Sequence, residues 1–230
     1  MNIPQLNKYD LVFPHATQAN KDGIVAWGGD LNPSRLIRAY QNGIFPWYNE
    51  DDPIIWWSPD PRLIMELDNF KLSRSLKKSI KKFEYKFDTD LIEIISKCGS
   101  TPREKQNGTR ISDEIIEAYS TLSDMGVVHS IGSYQNNKLV GGLYGVIVGG
   151  VFCGESMFSH KADASKSAYW VLIKHLKYWG YDFIDCQIPT NHLKSLGAKE
   201  VAREYFLDRL DKAKIKDLQH LWEINKNIIE

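Results

Sequence analysis

The chain is expected to fold as an α+β protein, built on a mixed sheet flanked by helices. Three observations carry that expectation. The first is a strand–helix–strand unit. Val151 to Ser159 and Phe183 to Ile188 read as strands, and between them Ser165 to Trp179 sets Ala168, Leu172, Leu176 and Trp179 at helical spacing before Gly180. The second is a meander: Val127 to Tyr134, a turn at Asn136-Asn137, Lys138 to Val148, then the Val151 strand. The third is a break at Ser58-Pro-Asp-Pro-Arg62, whose prolines cannot continue a central strand. It marks a boundary between a small α+β unit, 1–62, and a larger one, 63–230.

In chain order, Ile24 to Trp27 is a short strand, and Gly28-Gly29-Asp30 turns the chain. Asn32 caps a helix with Pro33 at its first position, and Gly43 ends it. Ile44 to Tyr48, an acidic turn through Asp52-Pro53, and Ile54 to Trp57 complete the first unit. Ser73 caps a basic helix, Arg74 to Lys82, whose apolar stripe is Leu72, Leu76, Ile80 and Phe83. Glu84 to Asp88 alternates like a strand, and Leu91 to Cys98 is a short helix. Gly99 to Gly108 is a long charged loop, and Ser112 caps a helix through Leu122. Beyond the focal unit, Asn191 to Leu196 and Ala202 to Leu210 read as helices, the second with Tyr205, Phe206 and Leu210 apolar. The polar tail, Asp211 to Glu230, carries Leu218, Leu221 and Trp222 and is expected to dock as a loose helix.

With 230 residues, the chain can bury a substantial core. Lysines plus arginines balance acids, 29 to 29, so an anionic partner must be held by a local patch rather than by overall charge. The three cysteines, Cys98, Cys153 and Cys186, form no CxxC pair, and a reduced, cytoplasmic protein is the simple reading. The start resembles no signal peptide, and no apolar run approaches the roughly 20 residues a membrane span needs. No membrane role is expected.

The candidate chemistry lies on the focal strands. Asp185 and Gln187 stand two apart, so an unbroken strand would aim both from one face, with Ile184, Cys186 and Ile188 on the other. Glu155, on the companion strand, adds a second acid. A polar pair at a strand end is the plain alternative.

Seven segments together resemble the leucyl/phenylalanyl-tRNA–protein transferase family. They are Trp27-Gly-Gly-Asp-Leu31, Gly43-Ile-Phe-Pro-Trp47, Trp56-Trp-Ser-Pro-Asp-Pro-Arg62, Gly154-Glu-Ser-Met-Phe-Ser159, Ala164-Ser-Lys166, Asp185-Cys-Gln187 and Ser195-Leu-Gly-Ala198. The resemblance implies an enzyme that moves leucine, phenylalanine or methionine from its tRNA to a protein whose N-terminus is arginine or lysine, marking it for degradation. It implies a larger unit of the GNAT type (the acyl-CoA N-acyltransferase fold). No metal or other cofactor is expected, because the activated ester arrives on the tRNA. DNA is not an expected partner, and a monomer is the simplest expectation.

The resemblance also assigns residues. Asp185 would act on the attacking amine either as a general base or mainly as a substrate holder, Gln187 would relay or position, and Glu155 would lie beside the cationic N-terminal residue. Leu143, Phe152, Met157, Tyr169, Leu172 and Ile184 would form the pocket for the transferred side chain. Tyr169 and Leu172 depart from the family's commoner leucine and phenylalanine there. Trp47 would stack on the terminal adenine, and Arg110 stands where the family usually has tryptophan. Arg74, Lys77, Lys78, Lys81 and Lys82 suit the phosphates of tRNA, or alternatively form a solvated face.

Two rivals are weighed. An acyl-CoA N-acyltransferase usually wants a glycine-rich pyrophosphate loop at a helix start, and His160 to Lys166 contains no glycine. A non-catalytic RNA-binding module would use the tryptophans and the basic helix, and would leave Asp185, Gln187 and Glu155 without a purpose.

Overall fold

The computed structural model describes residues 3–49, 51–100 and 111–229. Arg110 lies outside them.

The chain opens with β1 (Gln5–Leu6) and β2 (Ile24–Gly28), then α1 (Pro33–Gln41), β3 (Phe45–Pro46) and β4 (Ile55–Trp57). These strands form a four-stranded sheet in the order β1-β2-β4-β3. The Asn32 side chain accepts from the Ser34 N–H with Pro33 at the first turn, the cap the sequence predicts. Arg35 of α1 is fully buried; it pairs with Asp30 and donates to the Asn7 and Asp10 carbonyls, strapping the first segment down.

After the prolines come β5 (Arg62–Glu66), α2 (Arg74–Ile80), β6 (Glu84–Phe87), α3 (Leu91–Ser100) and α4 (Asp113–Asp124). The meander follows as β7 (Val128–Gln135), β8 (Lys138–Val148) and β9 (Val151–Ser159), then α5 (Ala164–Trp179) and β10 (Phe183–Gln187). The chain closes with α6 (Asn191–Ser195), β11 (Lys199–Val201) and α7 (Arg203–Ala213). A second, seven-stranded sheet has the order β11-β5-β10-β9-β8-β7-β6. Only β9 and β10 pair in parallel; the other neighbours are antiparallel. That is a mixed sheet flanked by helices, as expected.

One of its strands, β5, goes beyond what the sequence predicts. It is short and follows directly on the prolines, yet it sits between β10 and β11 with Leu63, Ile64 and Met65 fully buried. Continuous apolar burial, rather than alternation, hides such a strand from a period-two reading.

Two apolar clusters form. One joins α1, β3 and β4 to α3, α4 and residues of β8 and β9 such as Tyr144, Val146 and Cys153. The other is centred on α5 and includes Leu143, Phe152 and Ile184. Close approach of α5 to β8 requires Gly141, where a Cβ would stand 2.5 Å from the Ala164 Cβ.

The tail corrects one expectation. Residues 214–229 form no α-helix, only a short 3-10 turn at Lys226–Ile228. Leu218, Trp222, Ile224 and Ile229 pack individually against the α5 cluster, while Leu221 stays exposed. Trp222 stacks on His129 at 3.8 Å, and the Asn225 N–H donates to His175 Nε2 at 2.9 Å. Anchoring by separate side chains replaces the regular stripe a helix would need. Helix α7 likewise buries Phe206 and Leu210 but leaves Tyr205 half exposed.

Candidate active site

β9 and β10 pair at Phe183↔Val151, Ile184↔Phe152 and Asp185↔Cys153, and no further. Both strands are irregular just there. On β9 the register with β8 jumps from Gly145↔Gly154 to Tyr144↔Ser156, so Glu155 is the extra residue of a bulge. On β10 the register with β5 jumps from Asp185↔Ile64 to Gln187↔Leu63, and Gln187 has φ +61°. Bulges re-aim side chains, and they do so here. The bulge at Cys186 breaks the alternation that would set Asp185 and Gln187 side by side on one face.

Asp185 turns to Arg62. The guanidinium donates from Nε at 2.8 Å and Nη2 at 2.6 Å, and both side chains are 1% exposed. The Gln187 backbone N–H adds a bond to Asp185 Oδ1 at 2.9 Å. Arg62 is itself held between the rings of Phe45 and Phe206, 4.8 and 4.4 Å from their centroids, and donates to the Gly43 carbonyl.

The Gln187 side chain goes to Glu155 instead, its Nε2 donating to Oε1 at 2.7 Å. Two tyrosines complete the shell. Tyr40 of α1 donates to Oε1 at 2.7 Å, Tyr119 of α4 donates to Oε2 at 3.2 Å, and the two hydroxyls lie 2.5 Å apart. Burial pushes the Glu155 carboxyl up to about 7, although Tyr40, Gln187 and Tyr119 each pull it down by donating to the ionised form. Burial also drives both tyrosine hydroxyls well above their ordinary range, with the Glu155 charge adding to the effect.

Among the apolar candidates, Leu143, Phe152, Tyr169, Leu172 and Ile184 are buried in the α5 cluster, and Met157 packs against it. Tyr169 meets Phe70 edge-on, and its hydroxyl lies 3.4 Å from Cys186 Sγ. Burial pushes the Cys186 thiol up to about 12 and the Cys153 thiol well above its usual value, so neither is a ready nucleophile.

Trp47 is half-buried and meets Trp57 edge-on at 5.1 Å, whereas Trp56 is fully buried with its indole N–H on the Gly28 carbonyl. Trp47 lies two residues beyond Phe45, whose ring covers Arg62. Arg74, Lys77, Lys78, Lys81 and Lys82 are all exposed; α2 ends at Ile80, so the last two follow the helix. Ser79 ties α2 to Asp163, just before α5, at 3.0 Å. Among the described residues, no group of three or more His, Cys, Asp or Glu is placed to hold a metal.

The structure thus joins Asp185, Gln187 and Glu155 in one hydrogen-bonded chain, and gathers the six apolar candidates into one cluster. It adds Tyr40, Tyr119 and Arg62. Arg62 closes a recognised motif, but nothing in the sequence pairs it with Asp185. Tyr40 and Tyr119 read as ordinary apolar-face residues of their helices; only a hydroxyl needing a buried partner could have pointed to them.

The model of the leucyl/phenylalanyl-tRNA protein transferase family matches residues 64–211, and that of the family's N-terminal domain matches residues 29–60. This chain belongs to that family. A leucyl/phenylalanyl-tRNA–protein transferase of Sulfurimonas denitrificans is 69% identical over 222 residues, covering 96% of this chain and 97% of that one. Proteins of the same name from Maridesulfovibrio salexigens and Flavobacterium johnsoniae are 51% and 47% identical. They cover 89% and 87% of this chain, and 86% and 96% of their own lengths. Among solved structures, L-PGS from Bacillus licheniformis aligns with 74% of this chain and 57% of that one, at 12% identity and a TM-score of 0.37, too distant to carry an argument. Arg62 lies between the two family matches, and the tail beyond Asp211 lies outside them.

Proposed function

We propose that this protein transfers leucine or phenylalanine from its aminoacyl-tRNA to the α-amino group of proteins that begin with arginine or lysine, marking them for degradation through the N-end rule pathway. Membership in the family supports the reaction. The observation that carries the site assignment is the hydrogen-bonded group at Glu155: a half-buried carboxylate that accepts from Tyr40, Tyr119 and Gln187, beside a glutamine whose other end can orient an amine.

The reaction is aminolysis of an ester. The α-ammonium gives one proton to Glu155, the nitrogen attacks the ester carbonyl, and a C–N bond forms. As the C–O bond breaks, the ribose oxygen leaves with a second proton from nitrogen. A base poised near the working pH suits the first step, worth about 10²–10⁴-fold in rate. With its Nε2 on Glu155, Gln187 turns its carbonyl end to the amine. Asp185 is a holder in this reading. Both its oxygens are committed to Arg62 and the Gln187 N–H, which fixes the bulge that aims Gln187.

The α5 cluster around Leu143, Phe152, Met157, Tyr169, Leu172 and Ile184 takes the transferred side chain, and Trp47 stacks on the terminal adenine. Arg74, Lys77, Lys78, Lys81 and Lys82 hold tRNA phosphates. The reading includes a division into units 1–62 and 63–230, supported by the two separate sheets. A GNAT-type larger unit is supported by the parallel β9–β10 pair that parts at the site. A monomer working in the cytoplasm is part of the same reading; among the described residues no helix is long and apolar enough to cross a membrane.

The test is transfer of radiolabelled leucine from leucyl-tRNA to a peptide beginning with arginine, against an alanine-led peptide and a reaction without tRNA. Label on the arginine peptide alone is expected. No label, with tRNA still bound, would leave an RNA-binding module instead.

A further inference from the structure

We infer that Tyr40 and Tyr119 are positioning residues of the transfer reaction: from two helices outside the strand that carries it, they hold the Glu155 carboxylate in place and set how readily it takes a proton. The inference deepens the proposed function and rests on it.

Glu155 sits on a bulge, where its own strand gives it the least support. Orientation must come from its partners, and among the described residues these two hydroxyls donate to it together with Gln187. Both tyrosines are almost fully buried, 2% exposed, so water cannot replace either hydroxyl. A tyrosine has one proton to give. When Tyr40 donates to Glu155, the 2.5 Å contact makes Tyr119 a donor either to Tyr40 or to Oε2. When Glu155 takes a proton, its own O–H can donate outward and the two hydroxyls can turn. The pair is therefore a reversible chain that accommodates both states of the acid.

Among the described residues, three further groups face this cluster. Tyr144 of β8 meets Tyr119 edge-on at 5.7 Å, Cys153 lies on β9, and Asp185 with its Arg62 partner lies on β10 and β5. The Asp185 charge favours the protonated form of Glu155, opposite to the tyrosines. Tyr40 also makes the first unit of the chain part of the site, since it arrives on α1.

The experiment is the pH profile of kcat/KM for transfer in the wild type, Tyr40→Phe, Tyr119→Phe and the double variant. Each change removes one oxygen and keeps the ring in the core. A lost donor raises the proton affinity of Glu155, so the acidic limb is expected to move up by about one pH unit per hydroxyl. Rate lost at pH 7 should return as the pH is raised. A parallel titration follows the Glu155 carboxyl by ¹³C NMR, its resonance assigned with Glu155→Gln. A uniformly lower rate with an unmoved limb would mean a structural role and overturn the inference, as would an unmoved carboxyl titration. A wild type without transfer would overturn the proposed function as well; the carboxyl titration tells that failure from the first.

Discussion

Arg62 on β5 grips both carboxylate oxygens of Asp185 on β10, at 2.8 and 2.6 Å, in a position where neither residue meets water. β5 begins at Arg62 itself, so the first residue of the larger sheet holds the residue on which the sequence first centres the chemistry. Phe45 from β3 and Phe206 from α7 close over the guanidinium. The pair therefore joins the small sheet, the large sheet and the last helix at the edge of the site.

Removing one partner strands a buried charge. Arg62→Ala is expected to cost about 3–5 kcal/mol of stability. Denaturant melting checks it. A loss below about 1 kcal/mol would mean that neither the ion pair nor the guanidinium between the two rings holds this junction.

Glu155 makes stability depend on pH. Its carboxyl is raised from 4.5 to about 7 in the folded protein. Below about pH 4.5 it is protonated both folded and unfolded, and it contributes no pH dependence. Between about 4.5 and 7 the unfolded chain releases the proton while the folded protein keeps it, so stability falls as pH rises through this window. Above about 7 the loss is constant, on the order of 3 kcal/mol. Glu155→Gln should flatten the profile of Tm against pH over that window and abolish transfer at every pH. A profile as steep in Glu155→Gln as in the wild type would show that another group carries the titration.

Much of this arrangement was legible in the sequence, and the exceptions share a cause. The meander, the α5 unit and the caps at Asn32, Ser73 and Ser112 follow from local periodicity and side-chain hydrogen bonding, which are readable residue by residue. Asp185, Gln187 and Glu155 stood out because polar side chains on central strands need a reason. Which partner each takes was not legible, because two bulges decide it and a bulge is a relation between strands. Tyr40, Tyr119 and Arg62 join the site across 115, 36 and 123 residues of sequence, distances over which no local pattern reports. The tail departs from the expected helix for a related reason: Trp222 and Leu218 pack by separate contacts, and their spacing merely imitates a helical stripe.

Gly145 tests the packing of β8 against β9 and the apolar cluster behind it. A Cβ there would fall 2.4 Å from the Cys153 carbonyl oxygen and 2.5 Å from the Phe152 ring, so both the β9 backbone and Phe152 must move. Gly145→Ala is expected to cost about 1–3 kcal/mol in stability. Because Phe152 belongs to the proposed side-chain pocket, the ratio of leucine to phenylalanine transfer should change too. An unchanged ratio alongside lost stability would place the transferred side chain elsewhere.

The basic residues predict how transfer responds to salt. Lys77, Lys78, Lys81 and Lys82 are exposed, and α2 is fixed to the region before α5 by the Ser79–Asp163 bond. Each lysine that meets a phosphate releases counterions, steepening the fall of log affinity with log salt by about 0.7–0.9. Replacing all four by glutamine should weaken tRNA binding and make that slope shallower by up to about 3. Leucyl-tRNA and phenylalanyl-tRNA should lose affinity alike, since phosphate contacts carry no sequence information. Filter binding across a salt series reads both quantities. An unchanged slope would mean that the four lysines are only a solvated face and that tRNA is held on another surface.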